Sequence, residues 1–161
     1  MTAIRIVHAQ PEDAMLVADM VGSLLNEIME AVKEKAFAFD RQKTAERADR
    51  WIQDGRYTVL LARSADQAGA VAFLTLCERY ALYTDGAFGI IPEFYVCPAY
   101  RSRGVGSALL AEAVRIGEDK GWRRLEVTTP PLPQFDRTLS FYSRQGFTIS
   151  GGQKLKLTLG S

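Results

Sequence analysis

The chain has 161 residues, enough for one domain that buries its own core without disulfides or metals. Hydrophobic residues make up 47% and charged residues 24%, the balance of a folded soluble protein rather than a disordered one. A formal net charge of +1 argues against wholesale binding of nucleic acid, no run of about 18 apolar residues predicts a membrane span, and Met1–Gln10 lacks the apolar stretch of a signal peptide, so a cytoplasmic protein is expected.

Ile4–Val7 alternates and is β-branched, which predicts a first strand. Pro11 suits a first helical turn, and Glu12 and Asp13 suit its positive end. Ala14, Val17, Ala18, Val21, Leu25, Ile28 and Val32 then recur at helical spacing, fading near Lys33–Lys35, and 36–40 reads as a loop. A second helix is predicted over Thr44–Asp54, with Ala48, Trp51 and Ile52 on one face and Gly55 closing it. Tyr57–Arg63 and Ala70–Arg79 read as a hairpin of two strands. Phe88–Cys97 is an apolar strand interrupted at Pro92 and Glu93, where a residue without an N–H predicts a break or bulge in the ladder.

Val105–Lys120 has a clear helical pattern, with Leu109, Leu110, Ala113, Val114 and Gly117 inward and Glu112, Arg115 and Asp119 outward, capped by Gly121. Arg124–Thr129 reads as a strand, Pro130–Pro133 as a stiff loop, and Asp136 as the cap of a short helix ending at Gly146. Phe147–Ser150 and Lys154–Leu159 read as two closing strands joined around Gly151 and Gly152. With no linker, repeat or low-complexity tract, residues 1–161 form one domain of the α/β (α+β) class: a mixed, mostly antiparallel sheet of about seven strands flanked by about four helices. The strand–helix–strand unit from Phe88 to Thr129 implies one parallel pair with a right-handed crossover.

The turn Arg101-Ser102-Arg103-Gly104-Val105-Gly106 stands between a strand and a helix. A helix start has unpaired amides and a positive dipole end, so it favours anions. Gly104 and Gly106 carry no Cβ to block an approaching phosphate, Arg101 and Arg103 add positive charge, and Ser107 adds a hydroxyl. These features suit a pyrophosphate. The turn lacks the Gly-Lys-Ser/Thr ending of a nucleotide P-loop and the third glycine of a dinucleotide fingerprint. Cys77 and Cys97 have neither metal nor redox spacing and read as free thiols, and His8 is the sole histidine, so neither a zinc site nor a Ser-His-Asp arrangement can be built.

The chain resembles the GNAT superfamily of N-acetyltransferases. Arg101-Ser-Arg-Gly-Val-Gly106 is similar to that family's Gln/Arg-x-x-Gly-x-Gly/Ala motif, and Phe94-Tyr95-Val96-x-Pro98-x-Tyr100 resembles the strand that leads into it. Phe141-Tyr142-x-x-x-Gly146-Phe147 matches the second signature, at the expected distance. The resemblance implies a GNAT-like acyl-CoA N-acyltransferase fold. Acetyl-CoA is the implied donor, with its pyrophosphate on the backbone of Arg101 to Ser107 and its pantetheine along Phe94, Tyr95 and Val96. A backbone N–H near Val96 would face the thioester oxygen, and the slot would lie between that strand and Arg124–Thr129. No metal is implied.

The implied reaction moves the acetyl group onto a primary amine of a small molecule or peptide by direct attack through a tetrahedral intermediate. Such an amine has a pKa of about 10.4 and needs a base to become neutral. Glu93, on the bulged strand, matches a position that is often acidic in the family and is the base candidate. Water-mediated removal of the proton stays open. Tyr142 matches the family's usual proton donor to the departing sulfur, either by transferring its proton or by hydrogen bonding alone. Glu27, Glu30, Glu34, Trp51, Tyr80 and Tyr83 are further candidates to line an acceptor site. Phe135 stands about where the family commonly has asparagine, which leaves the pantetheine contacts open. Acetylation of protein lysines or N-termini, and a non-catalytic acyl-CoA sensor, are the other readings. The expected partners are acetyl-CoA and an amine, without nucleic acid or membrane, and the sequence allows two copies to pair through their terminal strands as a homodimer.

Overall fold

The computed structural model describes residues 3–66 and 68–160. Two helices follow the first strand, β1 (Ile4–His8): α1 (Ala14–Val32) and α2 (Arg41–Gln53). Helix α1 stops at Lys33, which takes a left-handed conformation (φ 59°). Helix α2 starts three residues earlier than its apolar pattern indicates, because Asp40 caps it: the Asp40 carboxylate accepts from the Lys43 amide at 2.9 Å.

Strands β2 (Thr58–Ser64) and β3 (Ala70–Ala81) form the expected hairpin, and β1 lies antiparallel on the outer edge of β2. The apolar stretch after the hairpin is divided into β4 (Gly86–Ile91) and β5 (Phe94–Val96), which both pair with β3. Between the pairs Leu74–Phe94 and Cys77–Ile90, β3 has two intervening residues and the opposing chain has three. One extra residue at Ile91-Pro92-Glu93 therefore makes the bulge that the proline signalled. The helix α3 (Val105–Lys120) then leads into β6 (Leu125–Val127), which runs parallel to β4. The short α4 (Asp136–Arg144) comes next, with Phe135 rather than Asp136 at its cap position.

Alternation along the strands builds two apolar cores on opposite sheet faces. Val59, Leu61, Phe73 and Tyr95 join Val17, Leu24 and Ile28 of α1 and Ala45 and Ala48 of α2. Leu60, Ala62, Leu74 and Leu76 join Val105, Leu109, Leu110, Ala113 and Ile116 of α3. Ile116, not Val114, takes the buried place on α3, and Val114 stays 42% exposed.

Six strands are present among the described residues rather than about seven. The long Phe88–Cys97 strand counts as two, whereas 147–150 and 154–159 carry no strand. Phe147 still packs against the α3-side core. His8, at the end of β1, meets Glu112 of α3 at 2.7 Å and ties the sheet to that helix, which gives the one histidine a structural place.

Gly89 of β4 is the seat of Trp122: a Cβ there would lie 2.3 Å from the indole and 2.7 Å from Leu125. The indole N–H donates to Glu78 at 2.7 Å, so the ring is held at both ends. Gly89→Ala is expected to cost about 2 kcal/mol through overpacking, read as a lowered urea midpoint at unchanged slope. An unaltered midpoint would mean that Trp122 moves aside freely.

Candidate active site

The bulge creates the site's polar centre. Thr75 N–H donates to the Glu93 carbonyl at 2.9 Å, and Glu93 N–H donates to Thr75 Oγ1 at 3.0 Å. The threonine hydroxyl thus satisfies an amide that the irregular ladder leaves over. Thr75 Oγ1 also donates to Glu93 Oε1, as does the hydroxyl of Tyr57 at 3.0 Å. Trp51 stacks at a tilt on Tyr57, with ring centroids 5.1 Å apart. Burial, followed by the nearby Glu93 carboxylate, holds the Tyr57 phenol well above its ordinary range, so it is a stable donor to that carboxylate. Tyr57 and Thr75 escape a reading of the sequence. Thr75 leaves a trace as the lone hydroxyl in the apolar run Ala70–Leu76, but nothing local marks Tyr57.

Beyond the bulge, the ladder turns alternate groups outward. Tyr95 pairs with Phe73, and the Cys97 N–H donates to the Val71 carbonyl at 2.8 Å. In an antiparallel ladder the residues between such pairs point their N–H and C=O the other way. Phe94 and Val96 therefore direct theirs away from β3, to the side on which β6 lies. No pairing joins β5 to β6 among the described residues; β6 pairs with β4 alone. The sheet consequently opens between β5 and β6, immediately after the bulge.

The turn after β5 ends at the start of α3. Gly104 takes a left-handed conformation (φ 81°), and an added Cβ would meet nothing within 4 Å. Ser102 is also left-handed (φ 62°). The Ala108 amide bonds the Gly104 carbonyl at 3.0 Å, while the amides of Val105, Gly106 and Ser107 have no backbone acceptor among the described residues. Three donors at the positive end of a 16-residue helix suit an anion.

Gly106 also has a packing task. A Cβ there would lie 3.3 Å from Phe141 and 3.7 Å from Phe94, so this glycine makes room for aromatic rings. Ser107 Oγ accepts from Gln145 Nε2 at 3.0 Å, which joins the first turn of α3 to the end of α4.

Arg101 is likewise committed within the protein. Its Nε donates to the Val96 carbonyl at 2.8 Å, and its Nη2 pairs with Glu27 of α1 at 2.7 Å. The guanidinium also lies 5.5 Å from the Tyr95 ring centroid. It links α1 to the mouth of the turn. Arg103 packs its guanidinium over Tyr100, with no ion pair among the described residues. Of the other acidic candidates, Glu30 on α1 and Glu34 just beyond its end are exposed.

Tyr142 lies on the α3 side of β5. It is 6% exposed and sits in an aromatic cluster with Phe94, Phe141 and Phe147, at centroid distances of 6.1, 5.6 and 5.4 Å. Burial raises its phenol well above the ordinary range. Its hydroxyl makes no hydrogen bond within the described residues, and no sealed side-chain polar atom there lacks a partner, so the hydroxyl reaches the surface of the cluster. Glu93 and Tyr142 thus flank the backbone of β5 from opposite faces. Burial also pushes the thiols of Cys77 and Cys97 up, which disfavours either as a nucleophile. Tyr80 and Tyr83 are 74% and 77% exposed at the β3–β4 hairpin tip, apart from the Tyr57–Thr75–Glu93 cluster. Among the described residues no group of three or more His, Cys, Asp or Glu side chains could hold a metal ion.

None of the curated proteins matches the chain significantly. Solved structures share the fold. A ribosomal-protein-alanine N-acetyltransferase from Brucella melitensis biovar Abortus 2308 is 21% identical, with a TM-score of 0.71 over 97% of this chain and 99% of that one. An aminoglycoside N-acetyltransferase in complex with CoA is 16% identical, with a TM-score of 0.78 over 98% and 96%. A predicted acetyltransferase with acetyl-CoA from Clostridium acetobutylicum is 14% identical, with a TM-score of 0.75 over 97% and 96%. The model of the acetyltransferase (GNAT) family matches residues 25–147, from within α1 through the aromatic cluster at the end of α4. With the bulged strand, the turn and the aromatic pair all inside that match, the chain belongs to the GNAT family of acetyltransferases.

Proposed function

We propose that the protein transfers an acetyl group from acetyl-CoA to a primary amine of a small molecule or peptide, by direct attack of the amine on the acetyl carbonyl. The observation that carries this reading is the opening between β5 and β6. Outward-turned backbone groups of Phe94 and Val96 line it, and it runs towards the uncapped start of α3.

The residues present fit acetyl-CoA. The amides of Val105, Gly106 and Ser107, with Gly104 leaving the approach open, are the groups to receive its pyrophosphate, and Ser102 and Arg103 border the same turn. Phe94, Tyr95 and Val96 supply the strand edge for pantetheine, whose amides can pair as an added strand would. Acetyl-CoA brings an activated acyl group. The Val96 N–H, turned away from β3, is the proposed donor to negative charge developing on the carbonyl oxygen.

Glu93 is the proposed base. Its Oε1 is held by Tyr57 and Thr75, and its Oε2 accepts no bond from the described residues, so Oε2 is the atom to receive the amine's proton directly or through water. Tyr142 is the proposed partner of the departing sulfur. An alkyl thiol has a pKa of about 8.5, well below a phenol raised by burial. Tyr142 therefore keeps its proton and stabilises the thiolate through a charge-assisted hydrogen bond.

Gly104→Glu is expected to weaken CoA binding by at least about 100-fold, since a left-handed backbone strains any side chain and a carboxylate repels phosphate at the helix start. Unchanged affinity in calorimetry would exclude the turn as the phosphate site. Tyr142→Phe should lower kcat by roughly 10- to 100-fold, the worth of one hydrogen bond to a charged group, with CoA affinity nearly unchanged. Equal kcat in the two proteins would remove Tyr142 from the reaction. In Glu93→Gln the rising limb of the kcat/KM profile with pH should flatten, because the variant cannot take up a proton there. An intact limb assigns proton removal to another group. Thiol release with acetyl-CoA and a panel of amines tests the reaction as a whole, and binding without turnover on any amine would favour a sensor.

A further inference from the structure

Strand β3 sends its side chains alternately to the two sheet faces, and Thr75, Cys77 and Arg79 fall on the face of the Glu93 carboxylate. Across the ladder Cys77 pairs with Ile90 of β4 and Arg79 pairs with Phe88. Helices α1 and α2 cover the part of this face that holds Val59, Leu61, Phe73 and Tyr95, and neither Phe88 nor Ile90 belongs to that core. Beyond the bulge the face therefore continues as a floor on which Cys77 and Ile90 are half-buried and Arg79 is exposed.

The charges on this floor are unevenly matched. Arg124 pairs with Glu126 and lies 5.2 Å from the Phe88 ring centroid, so these two ions are committed to each other. Arg79 makes no hydrogen bond, ion pair or cation–π contact among the described residues. Burial raises the Cys77 thiol, the Arg79 guanidinium draws it down and the Glu93 carboxylate pushes it up, so the thiol lies near both charges. Cys77 stands midway between Thr75 and Arg79, which are about 13 Å apart along the strand. Arg79 also pairs with β4, on the far side of the bulge from the turn at Gly104, and is therefore not a phosphate ligand of that turn.

We infer that the amine acceptor carries a carboxylate, which the Arg79 guanidinium receives while the amine lies at Glu93. This rests on the reading of Glu93 as the base and adds the acceptor's chemical class to it. A slot with a carboxylate at one end and a guanidinium at the other favours a molecule charged in the complementary order, an ammonium and a carboxylate several bonds apart. A dipeptide, about 7 Å long when extended, has that form, as does an ω-amino acid. One free guanidinium offers a planar fork and a single charge, which match a carboxylate. A phosphate dianion would bring a second charge that no free cation on this floor balances, with Glu126 on the same face.

Steady-state acetylation of matched acceptors tests this: β-alanine, γ-aminobutyrate and glycylglycine, each against its carboxamide, and aminoethyl phosphate beside them. The natural chain is expected to favour the carboxylates by about 10-fold in kcat/KM, chiefly through KM, as a charge-assisted pair allows. The preference should vanish in Arg79→Gln and survive in part in Arg79→Lys, which keeps the charge without the fork. Turnover with no preference for carboxylates overturns the inference and leaves acetyl transfer standing. So does a preference that persists in Arg79→Gln, and so does a larger preference for aminoethyl phosphate. If no amine is turned over, the transfer reading fails, and calorimetry of γ-aminobutyrate with the CoA-bound protein decides on Arg79: binding that is lost in Arg79→Gln upholds the anion site, whereas no binding, or binding that Arg79→Gln leaves intact, overturns it. Far-ultraviolet circular dichroism checks the fold of the variant, and should that be lost, the ratio in the natural chain decides alone.

Discussion

The one extra residue between Ile90 and Phe94 governs the geometry of this protein. Without it, β4 and β5 would be one straight strand and β6 could run beside it along its whole length. The bulge bends the chain, so β6 stays with β4 while β5 stays with β3. A bulge inside a sheet leaves backbone groups over, and here Thr75 answers both needs: its N–H and its hydroxyl bond the main chain of Glu93. Thr75 is 1% exposed, and it and Ser64 are the buried polar residues among those described. A buried hydroxyl in an apolar core costs free energy unless it is bonded, so its presence marks where the fold accepts a cost for shape.

Helices α3 and α4 take their positions from the two glycines of the turn. The start of α3 stays uncapped because Gly104 turns the chain with a positive φ and no side chain in the way. Gly106 then lets Phe141 and Phe94 close against the first turn of α3, and the ring cluster carries α4 and Tyr142 to their places beside β5. Arg101 links this assembly to the other face of the sheet through Glu27 of α1. That pair is partly exposed, so its worth lies in fixing α1 near the turn more than in stability. The two chemical groups of the proposed reaction therefore rest on different cores: Glu93 on the α1/α2 side, Tyr142 on the α3 side.

Much of this is legible along the chain. Local rules sufficed for α1, α3, the β2–β3 hairpin, the break at Pro92 and the glycine turn, because each depends on neighbours a few residues away. Two contacts of the turn are set by distant residues. Gly106 also leaves room for Phe141, which lies in a different helix. Arg101 reads as added charge at the turn, and Glu27 pairs with it from far up the chain.

The amino-acid order by itself determined the class of the fold, the strand that bulges, the turn that exposes amides and the aromatic pair near the C-terminus, since periodicity, proline and glycine act within one element. Only the tertiary structure decided that Tyr57 and Thr75 converge on Glu93, that the N–H of Val96 faces an opening, and that 154–159 carries no strand among the described residues. A strand, a hydrogen-bonded carboxylate and a slot between strands all need partners brought from elsewhere in the chain, and no local spacing specifies a partner.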